Sequence, residues 1–172
     1  PPCWPPGPCL VVPSQHDGRC QQVYVDALFD LVAPGGLLRL DTWAGAFAAA
    51  GAPLCTIWSA SVPEDRAVET VRNAIHLGRE RTMFQDLAFG LRQLIDIALR
   101  ALSPGINDHT TAREAIVHLS SLLREVLVRQ LPAPVIPGPG GRLLWRPPDF
   151  PLVDYVARVF DEYVLGAVGP PW

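Results

Sequence analysis

Arg79, Glu80, Arg81, Gln85 and Asp86 crowd one short stretch, Arg92, Asp96 and Arg100 follow at four-residue intervals, and the pair Asn107-Asp108 closes the series. Planar guanidinium groups grip carboxylate or phosphate in a two-pronged fashion, so the first chemistry this pattern could do is to bind an anionic ligand. These ten residues are the candidate ligand site. The competing reading is an internal polar network. At helical spacing Asp96 lies one turn from both Arg92 and Arg100, and such an Arg-Asp-Arg ladder contributes only about 0.2–0.5 kcal/mol per pair in solvent. The network reading is preferred, because groups that satisfy one another by spacing alone keep little capacity for a ligand. Asn107 and Asp108 read as helix caps rather than as catalysts.

Other chemistries find fewer residues. All fourteen basic residues are arginine, which excludes a Schiff-base lysine, a phosphate-loop lysine and lysine-linked cofactors. On one helix, ten residues would hold Asp86 and Asp96 about 15 Å apart, too far for a glycosidase carboxylate pair. There is no Gly-x-Ser-x-Gly elbow, and Ser103 stands before a proline with no evident base. His76, His109 and His118 share no metal spacing, and Cys3, Cys9, Cys20 and Cys55 match no compact zinc pattern. Cys20 and Cys55 read as small buried hydrophobes. No catalytic residue, metal or cofactor is expected. A net charge of −3 argues against a nucleic-acid surface, and the scattered tryptophans read as core or interface anchors.

The elements that must position these groups begin with a proline-rich lead-in over residues 1–13. Strand-like residues follow over 20–25, and a short helix over 26–32 ends at Pro34-Gly35-Gly36. Short strands are expected over 37–41, 43–48 and 54–58, with turn glycines at Gly45 and Gly51 in the manner of a barrel-sandwich module. Ser61 and Glu64 suggest a capping box for a helix running to about Leu77, and Thr82 and Gln85 suggest another for a helix from Thr82 to about Leu102. Leu87, Leu91, Leu94, Ile95, Ala98 and Leu102 share one face of that second helix. Pro104-Gly105 stops it. The next helix places Ala112, Ala115, Ile116, Leu119, Leu122, Leu123, Val126 and Leu127 together, so the two form an antiparallel hairpin. Residues 132–148 read as a proline- and glycine-rich linker, with a short strand near Leu143. Asp149 opens a final helix whose Leu152, Val156, Val159, Phe160 and Tyr163 make an apolar stripe.

The runs Gly78-Arg79-Glu80-Arg81-Thr82, Gln85-Asp86, Phe89-Gly90, Asp96-Ile97-Ala98, Ala101-Leu102-Ser103-Pro104-Gly105-Ile106-Asn107-Asp108 and Thr111-Ala112 resemble a bacterial family of predicted membrane proteins, domain of unknown function 2254. The resemblance implies transmembrane helices upstream, a bacterial inner-membrane location and no assigned reaction. His109 departs from the family pattern, which has proline there. No apolar run here reaches the roughly 18 to 20 residues of a bilayer span, and the chain does not begin with methionine, which suits an internal fragment.

The expectation is therefore an α+β domain. A β-rich, barrel-sandwich-like part over 14–60 packs with a helical core over 61–131, then come the linker over 132–148 and a C-terminal helix and tail over 149–172. The expected role is non-catalytic: an extramembrane assembly domain, homo-oligomeric and cytoplasmic. The alternative is an anion or small-metabolite sensor that uses the arginine cluster.

Overall fold

Alternation of buried and open side chains makes the first strands. In β1 (Leu10–Pro13) Val12 points inward, and in β2 (Gly18–Val23) Gly18, Cys20 and Val23 do. The period of two breaks between Cys20 and Gln22, where the register against a neighbouring strand shifts. That bulge returns Val23 to the interior. Helix α1 (Val25–Phe29) follows, then β3 (Leu37–Leu40), β4 (Phe47–Ala48), β5 (Pro53–Trp58), α2 (Glu64–Ala74) and β6 (Ile75–Gly78). Two long helices, α3 (Leu87–Ala101) and α4 (His109–Val128), precede β7 (Val135–Pro137) and β8 (Leu143–Trp145). This computed structural model describes residues 9–58, 64–129, 133–146 and 157.

The described residues fall into two compact units, 9–86 with 133–146 and 87–129 with 157. The first holds both sheets. One has strand order β1-β5-β3-β8-β7, antiparallel except where β3 runs parallel to β8; the other has order β4-β2-β6 and is antiparallel throughout. Leu28, Leu31, Leu38, Leu54, Val71 and Leu144 are among the fully enclosed side chains of its core. Cys20 and Cys55 are also completely buried there. Burial pushes the Cys20 thiol up to about 11 and raises that of Cys55 as well, so both stay protonated and act as small apolar side chains.

The second unit is the helix hairpin. Leu91 and Ile95 of α3 meet Leu119 and Leu123 of α4, and Ala98, Ala101, Ala112 and Ala115 let the helices approach closely. The expected α+β class and hairpin are both present.

Several boundaries differ from those the sequence suggests. Helix α2 stops at Ala74, and Ile75 and Leu77, expected on the helix, belong to β6, which pairs with β2. The inner face of α2, Ala67, Val71 and Ala74, packs in the sheet core. Helix α3 starts at Leu87 rather than Thr82. The stretch read as a linker holds the short strand expected near Leu143, β8, and also β7, which pairs with it, and together they extend the larger sheet from β3. The main interior is therefore the one between sheets and α1 and α2, while the hairpin encloses a smaller one. The lead-in up to residue 8, the Ser61 cap and the stripe of the C-terminal helix lie outside the described residues.

Candidate functional site

The charged loop between β6 and α3 is built by its attachments to β2. Its first clamp is Gln21, whose Nε2 donates to the Glu80 carbonyl at 2.8 Å. Its second is Gln85. The Val23 amide donates to Gln85 Oε1 at 2.9 Å, and Gln85 Nε2 donates to the Val23 carbonyl at 3.2 Å. The side-chain amide thus replaces a strand neighbour and satisfies both backbone groups of Val23. This is why Gln85 caps no helix start at Thr82: its two polar atoms are engaged elsewhere.

The third clamp is ionic. Arg81 donates from Nε at 2.9 Å and from Nη2 at 2.6 Å to Asp86 Oδ2. The Asp86 side chain is only 5% exposed and that of Arg81 33%. Gly45 makes room for the pair, since a Cβ there would stand 2.0 Å from Asp86 Oδ2. Arg19 ties the same turn from the other side, donating to the Gly45 carbonyl at 3.2 Å.

The ten candidate residues divide between the units. Arg79, Glu80, Arg81, Gln85 and Asp86 belong to the first, and Arg92, Asp96, Arg100, Asn107 and Asp108 to the second. In the second, Arg92 Nε donates to Asp96 Oδ1 at 2.9 Å, an exposed pair one helical turn apart. Among the described residues Asp96 makes no ion pair with the exposed Arg100, so the expected three-membered ladder is a two-membered one. An exposed pair gains little over hydration and costs side-chain entropy, which leaves the second arginine in water.

Asn107 and Asp108 do different work. Asn107 takes φ +50, the left-handed turn that brings the chain back. Asp108 caps α4: Oδ1 accepts from the Thr110 and Thr111 amides, each at 3.0 Å, and Oδ2 accepts from the Thr111 hydroxyl at 2.6 Å. The Thr111 hydroxyl first, then the Thr111 and Thr110 amides, hold the Asp108 carboxyl below its ordinary value. A depressed folded value means that this stabilisation is present above the unfolded value and is lost as pH falls through the folded one. Urea midpoints of the native chain are therefore expected to fall more on acidification than those of Asp108→Asn, and identical pH dependence would remove the charged cap from the account.

A third polar cluster escaped the sequence reading. Arg39 Nε lies 2.5 Å from Asp41 Oδ1, the Thr56 hydroxyl donates to Asp41 Oδ2 at 2.6 Å, and Arg39 Nη2 donates to that hydroxyl at 3.1 Å. The guanidinium also lies 5.5 Å over the Trp58 ring. The signal was the Arg39 and Asp41 spacing of two, one face of a strand; the cross-strand pairing of Arg39 with Thr56 supplied the rest. A groove of about 440 Å³ beside α2 is lined by Glu64, Asp65, Glu69 and Arg72 among others, and holds none of the ten candidates. Among the described residues no group of three or more His, Cys, Asp or Glu could hold a metal.

In this α+β chain no described helix is long and apolar enough to cross a membrane, and of the candidate residues Arg81 pairs with Asp86, Arg92 pairs with Asp96 and Asp108 caps α4. The chain belongs to the family described as predicted membrane protein (DUF2254), whose pattern matches residues 4–168. It is 38% identical over 149 residues to the uncharacterized protein Rv1290c of Mycobacterium tuberculosis and, equally, to Mb1321c of Mycobacterium bovis. The match covers 83% of this chain and 29% of each relative, so the chain spans under a third of their length. No solved structure matches.

Proposed function

We propose that this chain is a non-catalytic, extramembrane assembly domain of a bacterial inner-membrane protein, and that the α3–α4 hairpin supplies the association surface. One observation carries the reading. Among the described residues the hairpin buries Leu91, Ile95, Leu119, Leu123 and Val126 as its larger side chains, while Ile97, Val117, Leu122 and Leu127 stand 47%, 55%, 40% and 55% exposed. On α4, Leu122 and Leu127 flank the buried stripe on its two sides, flanks that a four-helix arrangement with a second copy would cover. The cytoplasmic side belongs to this reading, because Cys9, Cys20 and Cys55 are free thiols, the state a reducing compartment maintains. Anion sensing is less well supported, since Arg81 and Arg92 each already hold a carboxylate.

Sedimentation or light scattering over a concentration series tests the proposal. The native chain is expected to self-associate, and Leu122→Asp with Leu127→Asp to raise the dissociation constant about thirtyfold or more, the equivalent of ~2 kcal/mol. A native chain that stays monomeric at high concentration removes the assembly role.

A further inference from the structure

We propose that the loop 81–86 is a membrane-contacting finger whose tip, Met83 and Phe84, enters the headgroup region of a lipid bilayer. Met83 is 62% and Phe84 83% exposed. Two adjacent large apolar side chains held in water are unfavourable, and a slack loop would fold them back against the surface. This loop is not slack. The Arg81–Asp86 pair closes its base, the Gln85 amide is held by both backbone groups of Val23, and the Glu80 carbonyl is held by Gln21. The backbone is fixed and the apolar tip is presented, the arrangement that lowers the ordering cost of an encounter.

A second element extends the surface. The turn carrying Trp43 and Phe47, 52% and 58% exposed, packs on the base of the loop through Gly45. Arg19 lies 5.6 Å over the Phe47 ring. Tryptophan, phenylalanine and methionine beside arginine suit the bilayer interface, where rings sit at headgroup depth and guanidinium groups meet anionic phosphates. Charge selects the occupant. Along the loop Arg79 and Arg81 balance Glu80 and Asp86, and Arg19, beside Phe47, adds a positive charge, the sign that acidic lipids attract. Membership of a family of predicted membrane proteins puts a bilayer within reach. The finger lies in the first unit and does not depend on association through the hairpin.

Flotation of the chain with vesicles of phosphatidylcholine and phosphatidylglycerol tests the proposal. The native chain is expected to float with them, and less with phosphatidylcholine alone. Met83→Ser with Phe84→Ser is expected to lower the bound fraction about tenfold or more without moving the thermal midpoint, because neither side chain packs in a core. Phe84→Trp, which keeps the tip apolar, retains binding. A native chain that does not float, a serine variant that floats as well, or loss of binding in Phe84→Trp would each overturn the proposal. So would finding that the tip is instead covered by a protein partner when the chain is bound to vesicles.

Discussion

Gly45→Ala is expected to destabilise the first unit by about 3 kcal/mol or more. Two costs add. Gly45 has φ +88, a conformation that costs an L-residue roughly 1–2 kcal/mol, and the new Cβ would meet Asp86 Oδ2 at 2.0 Å and Arg81 Nη2 at 3.0 Å. The ion pair must then open, and with Arg81 one-third exposed its separation costs about 2 kcal/mol. Gly51 supplies the control within the same unit. Its φ is +84, yet a Cβ there meets nothing within 4 Å. Gly51→Ala is therefore expected to cost only the backbone share, about 1 kcal/mol. Urea unfolding of the two variants separates conformation from contact, and equal losses would show that the carboxylate does not depend on the space at Gly45.

The second large effect is an asymmetry between the members of that pair. Arg81→Ala leaves a carboxylate that is 5% exposed without its guanidinium, whereas Asp86→Ala leaves a guanidinium side chain that is 33% exposed and can turn to water. Breaking a fully buried pair costs about 3–5 kcal/mol. Partial exposure of Arg81 reduces this, so about 2 kcal/mol is expected for Arg81→Ala and about 1 kcal/mol for Asp86→Ala. The double change Arg81→Met with Asp86→Leu should recover part of the loss, because an apolar pair of similar volume needs no compensation. Denaturant midpoints for the three variants check the order. If Asp86→Ala proves the more damaging, the burial of the carboxylate is not what makes the pair matter.

The loop's two roles are physically linked. The clamps that hold Arg81, Gln85 and Asp86 explain why these residues are less available to a free anion, and they also fix the backbone that carries Met83 and Phe84. Of the polar residues that resembled a ligand site in the sequence, Arg81, Gln85 and Asp86 fasten the loop, and Met83 and Phe84 between them are exposed. The charge cluster forms a pattern legible in the sequence, whereas a lone Met-Phe pair has no periodicity to mark it.

What residue order determined by itself was whatever depends on neighbours within a turn or two. The stop at Pro104-Gly105, the Asp108 cap, the apolar faces of α3 and α4 and the Arg92–Asp96 pair all arise from spacings of three or four, and each is present. The α+β class was legible in the same way, through alternation and helical period. Tertiary structure decided the outcomes that rest on partners far away in the chain. Gln85 chose the Val23 backbone 62 residues distant over a local cap. Ile75–Gly78 left the helical period because the edge of β2 offered a full set of backbone partners. Leu143–Trp145, where the sequence already suggests a short strand, found its partner at the edge of β3 more than a hundred positions earlier, and Val135–Pro137, inside a proline- and glycine-rich stretch, became a strand by pairing with it. Backbone groups must be paired wherever they are buried, and which distant strand meets that need depends on how the whole chain closes its core.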